Sequence, residues 1–258
     1  MDNSTYAVGP IQVQGAVTVD FGLPGSLPLE QLPAVIERDR LHMAKRPGLR
    51  QKHLPFLVDA VSGNLLSGGR YLFDTVEHAE QYKAWAANEF VLDGLKFFER
   101  PFFINPVCYV WKVIGAQDLA DIHDAHKLIR SERWQAPQES LPDLAESWSH
   151  IHNEAKRRGL ASVWLLHNEP ERLVGLISIA GKVQPTDQSP ADDVGLETLA
   201  AAPSLGTMFE QHGWTKVFDR TSWVLTIWFP IAEGQPDVPA LWPNSPPLPA
   251  PAYALAAG

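Results

Sequence analysis

The stretches Ala44-Lys45-Arg46-Pro47-Gly48-Leu49 and Ala155-Lys156-Arg157-Arg158-Gly159-Leu160 echo each other. A Ser-Leu-Pro triplet precedes each: Ser26-Leu27-Pro28 before the first, Ser140-Leu141-Pro142 before the second. The offsets are 114 and 111 residues, so a three-residue deletion within one helix reconciles them. Each pair brackets a helix by the same chemistry. Serine caps the free N–H groups, and proline sits in the first turn, where its missing N–H costs nothing. Glycine then supplies the positive φ that the residue after the helix requires. The chain reads as two copies of one unit.

The flanking elements agree. In the first half, residues 11–21 alternate: Ile11, Val13, Val17, Val19 and Phe21 face one way, with Gln12, Gln14, Thr18 and Asp20 opposite. That is a half-buried strand. A helix over 28–46 carries Leu29, Leu32, Ile36 and Met43 at helical spacing. Strands over 49–58 and 68–73 follow, joined through Gly63-Asn64. Asp74-x-x-Glu77 resembles a capping box opening a helix with Ala79, Tyr82, Ala86 and Phe90 on one side, and 102–113 is the last strand. The second half gives a strand over 128–135 and a helical face of Leu141, Leu144, Trp148, Ile151 and Ala155. Strands over 162–167 and 173–180, a helix near 196–211 and a strand over 216–231 complete it.

Both halves read β-α-β-β-α-β. The predicted class is α+β, with two ferredoxin-like repeats, 1–116 and 128–231, joined by a connecting helix over 117–127. Residues 232–258 hold seven prolines and form a polyproline-like tail. Such a unit puts both helices on one sheet face. The opposite faces are expected to be apolar and to shelter each other in a barrel-type body with an internal cavity.

Composition narrows the function. The chain has 258 residues, 45% of them hydrophobic, with nine tryptophans, and a formal charge of −9. An acidic surface disfavours nucleic acid and anionic membranes. The single cysteine excludes an internal disulfide or a multi-thiolate zinc site. No apolar run reaches the roughly 20 residues of a membrane helix, and the N-terminus lacks the order of a signal peptide. A cytoplasmic protein is the expectation. There is no phosphate-binding glycine loop and no Gly-x-Ser-x-Gly elbow.

The stretches Arg46-Pro47-Gly48-Leu49, Ser67-Gly68-Gly69-Arg70-Tyr71-Leu72-Phe73-Asp74 and Glu77-His78-Ala79-Glu80-Gln81-Tyr82 resemble the YdhR-like proteins of the dimeric α/β-barrel superfamily, relatives of the antibiotic-biosynthesis monooxygenases. The resemblance covers residues 11–115. The second half matches by element order alone and lacks the Gly-Gly-x-Tyr block. The superfamily includes cofactor-free oxygenases, haem enzymes, isomerases, dehydratases and stress proteins, so the resemblance implies a fold more firmly than a reaction. The shared motifs are structural and bring no catalytic residue with them.

Candidate chemistry therefore rests on residue types. His53 and His167, on predicted strands, are candidate bases, because burial keeps an imidazole neutral and able to accept a proton. Arg130 or Lys52 would stabilise a developing oxyanion. Trp111, Trp134, Trp164, Trp228 and Tyr71 are candidate walls for a broad aromatic ligand. Arg130, Glu132 and Trp134 alternate along one strand; turned inward, they bury a charged pair that needs a partner. His123 and His126 share a helix face in a polar connector, without a third ligand, so no metal is assigned. His150 and His152 diverge on a helix and are expected at the surface, and Cys108 is expected to be a buried, inert thiol.

These features imply a cofactor-independent monooxygenase acting on a bulky aromatic or polyketide-like substrate of secondary metabolism. An isomerase, cyclase or dehydratase on the same base, a haem enzyme, and a non-catalytic ligand-binding or stress-response protein are the alternatives. The tail is expected to wrap the sibling repeat or a second chain, which leaves a homodimer open.

Overall fold

A two-residue strand β1 (Gly9–Pro10) precedes β2 (Gly15–Leu23), helix α1 (Leu32–Met43) and the hairpin β3 (Leu49–Val58) and β4 (Leu65–Phe73). Helix α2 (Val76–Asn88), a small hairpin β5 (Val91–Leu92) and β6 (Leu95–Lys96), and the long β7 (Ile104–Asp118) follow. The second half holds α3 (Ile122–Ala125), β8 (Leu128–Gln135), α4 (Leu144–Arg157), β9 (Ser162–Asn168) and β10 (Leu173–Ala180). It ends with α5 (Leu196–Ala201), α6 (Thr207–Gln211) and β11 (Thr215–Trp228). This computed structural model describes residues 8–137, 143–181, 196–234 and 237–244. The Ser140-Leu141-Pro142 triplet and the tail beyond 244 lie outside the described residues.

The chain divides into two compact units, and neither is continuous in sequence. The first comprises residues 13–111 with those from 224 onward; the second comprises 112–223 with those up to 12. The expected boundary at 116 falls inside β7, whose residues 112–118 belong to the second unit. Residues 224–228 of β11 belong likewise to the first. In the first unit the hydrogen-bonded order is β7-β2-β4-β3-β11; in the second it is β11-β8-β10-β9-β7. In both, the strand following the first helix lies outside its hairpin partner, which is the antiparallel ferredoxin-like order.

Local chemistry explains most boundaries. Gly48 and Gly159 adopt φ of +72° and +66°. Gly159 directly follows the Arg158 C-cap of α4, whereas α1 ends at Met43 and Gly48 instead turns the chain into β3. Helix α2 opens on Thr75, whose hydroxyl accepts from the His78 N–H, one residue later than the predicted cap at Asp74. Asp143 caps α4 by accepting from Ala145 and Glu146. The helix expected near 196–211 is two short ones, broken at Pro203.

In the first unit, α1 and α2 cover one sheet face, where Val17, Val19, Leu54, Tyr71, Phe73, Tyr82 and Trp228 form the core. The opposite face is not apolar as predicted. It buries Thr18, Asp20, Gln51, His53, Arg70 and Trp111. Four of these groups are satisfied within the unit: Arg70 pairs with Asp20 at 2.7 Å and donates to the Val19 carbonyl, and the Trp111 indole donates to Thr18. The Pro-rich segment packs on this same unit. Asp237 accepts twice from Arg40 of α1, and Leu241 exchanges backbone hydrogen bonds with Ile227 of β11.

Candidate active site

Between α1 and the sheet of the first unit the core is incompletely filled, leaving a cavity of about 140 Å³. Its sheet wall comes from Val19 and Phe21 of β2, Lys52 and Leu54 of β3, and Tyr71 of β4; Ile36, Asp39 and Met43 of α1 face them. Trp228 closes one side and Phe97, Arg100, Phe102 and Phe103 another.

Two backbone devices aim the side chains. A bulge between Leu49 and Gln51 shifts the register of β3, so that Leu49 on one side of it and Lys52 with Leu54 on the other all point toward the helices. Gly69 keeps the space beside Tyr71 open, because a Cβ there would collide with the tyrosine ring. The Gly-Gly-x-Tyr motif thus lets Tyr71 lie against its own strand, toward the cavity.

Lys52 dominates the electrostatics. It is 3% exposed, its Nζ lies 3.3 Å from the Trp228 ring centroid and 4.8 Å from that of Tyr71, and no carboxylate among the described residues reaches ion-pair distance. Burial drives its ammonium well below the ordinary lysine range, outweighing the attraction of Asp39. Asp39 is held by Arg100 through contacts of 3.0–3.3 Å. The Arg100 guanidinium also stacks over Phe97 at 4.7 Å. Burial raises the phenols of Tyr71 and Tyr82, so both remain protonated. The Trp228 indole N–H is buried and has no acceptor among the described residues. The cavity therefore presents an amine whose charged form burial disfavours, between aromatic faces, beside a carboxylate and guanidinium that cancel each other's charge.

Of the nine candidate residues, the structure brings together Lys52, Tyr71 and Trp228. His53 follows Lys52 on β3, so strand alternation points it to the opposite face, in register with Arg70. It does not line the cavity. Trp111 lies on that face too. His167 stands on β9 of the second unit, opposite Val174 and Lys112, where burial lowers its pKa. In that unit Trp134 packs on Phe209, and the Trp164 indole donates to Ser162. Arg130 does turn inward, but its guanidinium is consumed by Asp219 at 2.7–2.9 Å and by the Leu199 and Ala202 carbonyls. It has no donor left for an oxyanion.

No histidine lines the cavity, so it offers no axial imidazole and does not fit haem. His123 is exposed against Asp121, whereas His126, expected in a solvated linker, is fully buried 3.7 Å from Asp118. Burial pushes Asp118 up to about 6 and His126 down to about 3. No group of three metal-ligating side chains occurs among the described residues. His150 is exposed, but His152 is half-buried and stacks on Trp148. Burial raises the Cys108 thiol to about 11, as an inert thiol requires.

Sequence reasoning missed Asp39 and Arg100. One signal was available: Leu32, Ile36, Asp39 and Met43 form a single helical stripe, and a carboxylate in an apolar stripe asks for a partner. The other was Phe97-Phe98-Glu99-Arg100-Pro101-Phe102-Phe103, an arginine set among four phenylalanines just ahead of the strand predicted over 102–113.

No protein-family model and no curated protein matches the chain. Solved structures do. A protein described as "Putative monooxygenase" from Fusobacterium nucleatum superimposes with a TM-score of 0.55 at 13% identity, over 88% of this chain and 97% of that one. Another described in the same words, from Lactobacillus acidophilus, gives 0.50 at 8% identity, over 82% and 93%. At such identities the likeness concerns the fold alone. No described helix is long and apolar enough to cross a membrane. In fold, the chain is similar to these two structures.

Proposed function

We propose that the protein is a small-molecule enzyme that binds a planar, weakly acidic aromatic substrate, a phenol or enol, in the cavity beside Lys52. On this reading the two units are copies of one ferredoxin-like module, of which only the first holds the reactive cavity. Their common strand order supports that descent.

The observation that carries the reading is the buried Lys52 amine, unpaired with any carboxylate among the described residues and set over the Trp228 indole. A neutral amine in a dry site is a base. It takes the acidic proton of a bound phenol or enol, and the resulting ammonium and substrate anion form an ion pair that low polarity strengthens. The Trp228 face and the nearby Asp39 favour the new ammonium. Phe21, Phe97 and Phe103 supply flat apolar walls for the rings and exclude water. An electron-rich carbanion made this way can pass an electron to dioxygen, which is monooxygenase chemistry without a bound cofactor. In the absence of oxygen transfer, the same deprotonation isomerises or dehydrates.

Oxygen uptake with hydroxynaphthoquinols and anthrones tests the reading. Wild type should turn over, and Lys52→Met should lose at least about 100-fold in kcat with its fold intact, the scale of a lost general base. Activity should hold at neutral pH and fall only as acid protonates the amine. Ligand binding without turnover of any kind would leave a binding protein instead.

A further inference from the structure

We propose that Lys52 is also a nucleophile: the cavity captures planar aryl aldehydes and ketones as a reversible imine on the Lys52 Nζ. The inference rests on the reading of the cavity as a ligand site and adds a second substrate class to it. A primary amine reacts with carbonyls only when its lone pair is free, and two features provide that. Lys52 is enclosed, and no carboxylate among the described residues reaches ion-pair distance to hold its proton. In addition, its nitrogen sits 3.3 Å above the centre of the Trp228 ring. The negative face of an indole attracts N–H groups and repels a lone pair, so the lone pair is directed away from the ring.

The wall opposite is suited to the partner. Phe21, Phe97 and Phe103 are flat and apolar, and Ile36 with Met43 closes the helix side, a lining for an aromatic ring. The chemistry needs no co-reactant. The nitrogen lone pair attacks the carbonyl carbon, and the C=O π pair becomes a hydroxyl by taking the proton that leaves nitrogen. Loss of water from this carbinolamine gives C=N. The product carries no charge, like the neutral amine it replaces, so a dry cavity tolerates it. Among the other described lysines, Lys45, Lys83 and Lys156 are exposed to water. Lys216 is tied to Asp219 at 2.8 Å.

The test is reductive trapping on the full chain. Protein is incubated near neutral pH with 2-naphthaldehyde and sodium cyanoborohydride, and modified lysines are mapped by peptide mass spectrometry. Lys52 should be modified at least about 10-fold faster than Lys45, Lys83 or Lys156, following its larger free-amine fraction. Lys52→Met, checked by circular dichroism, should lose the fast-reacting site while the slow ones persist. Modification of Lys52 at or below the level of exposed lysines overturns the imine. Calorimetric titration with 2-naphthol separates the two failures: naphthol binding without Lys52 trapping removes the imine and keeps the cavity as a ligand site. Loss of both removes both.

Discussion

The two units treat the space between sheet and helices differently. In the second, Arg130, Glu132 and Trp134 project toward α4, α5 and α6, and the two charged groups meet Asp219, Lys216, Ser204 and the Ala202 carbonyl. Trp134 with Phe209 and Trp214 fills the remaining volume. In the first, the same side of the sheet carries Lys52 with aromatic faces, no counter-ion, and an unfilled cavity. Both units bury a cation under helices. One has satisfied it, which gives structure; the other leaves it without a carboxylate partner among the described residues. A buried charge identifies a functional site only when its partners are missing.

The sharpest way to break this comparison is to remove both cations. Arg130→Met strands Asp219 and Glu132 and should cost about 3–5 kcal/mol in urea unfolding. Lys52→Met replaces a desolvated amine by an apolar side chain of similar length and should be neutral or stabilising by about 1 kcal/mol. Equal losses would end the distinction. Asp39→Asn comes next. It leaves Arg100 with a neutral partner in a buried place, at a cost of about 2–3 kcal/mol. It also withdraws the negative charge that helps Lys52 hold its proton, so the acid limb of the pH–rate profile should move to lower pH.

In the second unit, Asp118 and His126 offer a smaller effect of opposite sign. Asp118 rises from 3.8 to about 6 on folding, so the folded state resists its ionisation; that penalty is absent below about 4 and complete above about 6. Asp118→Asn should therefore stabilise the protein at neutral pH by on the order of 1–3 kcal/mol, and not at pH values below about 4. His126 falls from 6.5 to about 3, so its neutral form contributes stability above 6.5 that is lost as pH drops toward 3. The Asn variant should show that acid loss more steeply, because Asp118 no longer opposes it. Unfolding curves across pH read both. The smallest effects belong to the caps: Thr75→Ala in one unit and Asp143→Ala in the other should each cost about 1 kcal/mol in thermal melts.

Much of the architecture was legible in the residues. Strands β8 and β10 fall at their predicted bounds, because each alternates or runs apolar between clear turn signals. The site was less legible, for a physical reason. A histidine was favoured as base because its ordinary pKa lies near neutrality, whereas the groove presents a lysine whose pKa burial has moved. Which of Gln51, Lys52 and His53 faces the helices depends on the bulge after Leu49, and strict alternation cannot report a bulge. The tryptophans scattered for the same reason. Trp111 and Trp228 sit on strands of similar appearance, yet one caps a threonine on the polar face and the other lies beneath the amine.

The grip of Asp237 on Arg40 and of Leu241 on Ile227 has a consequence for biosynthesis. Helix α1 leaves the ribosome well before Trp228 and the residues that fasten it. The amine chamber therefore cannot be finished before residue 241 has emerged. Its assembly waits on loop closure between α1 and residues 228–241, so a chain cut short between residues 223 and 228 should keep the strands of the second unit and lack the indole beneath Lys52.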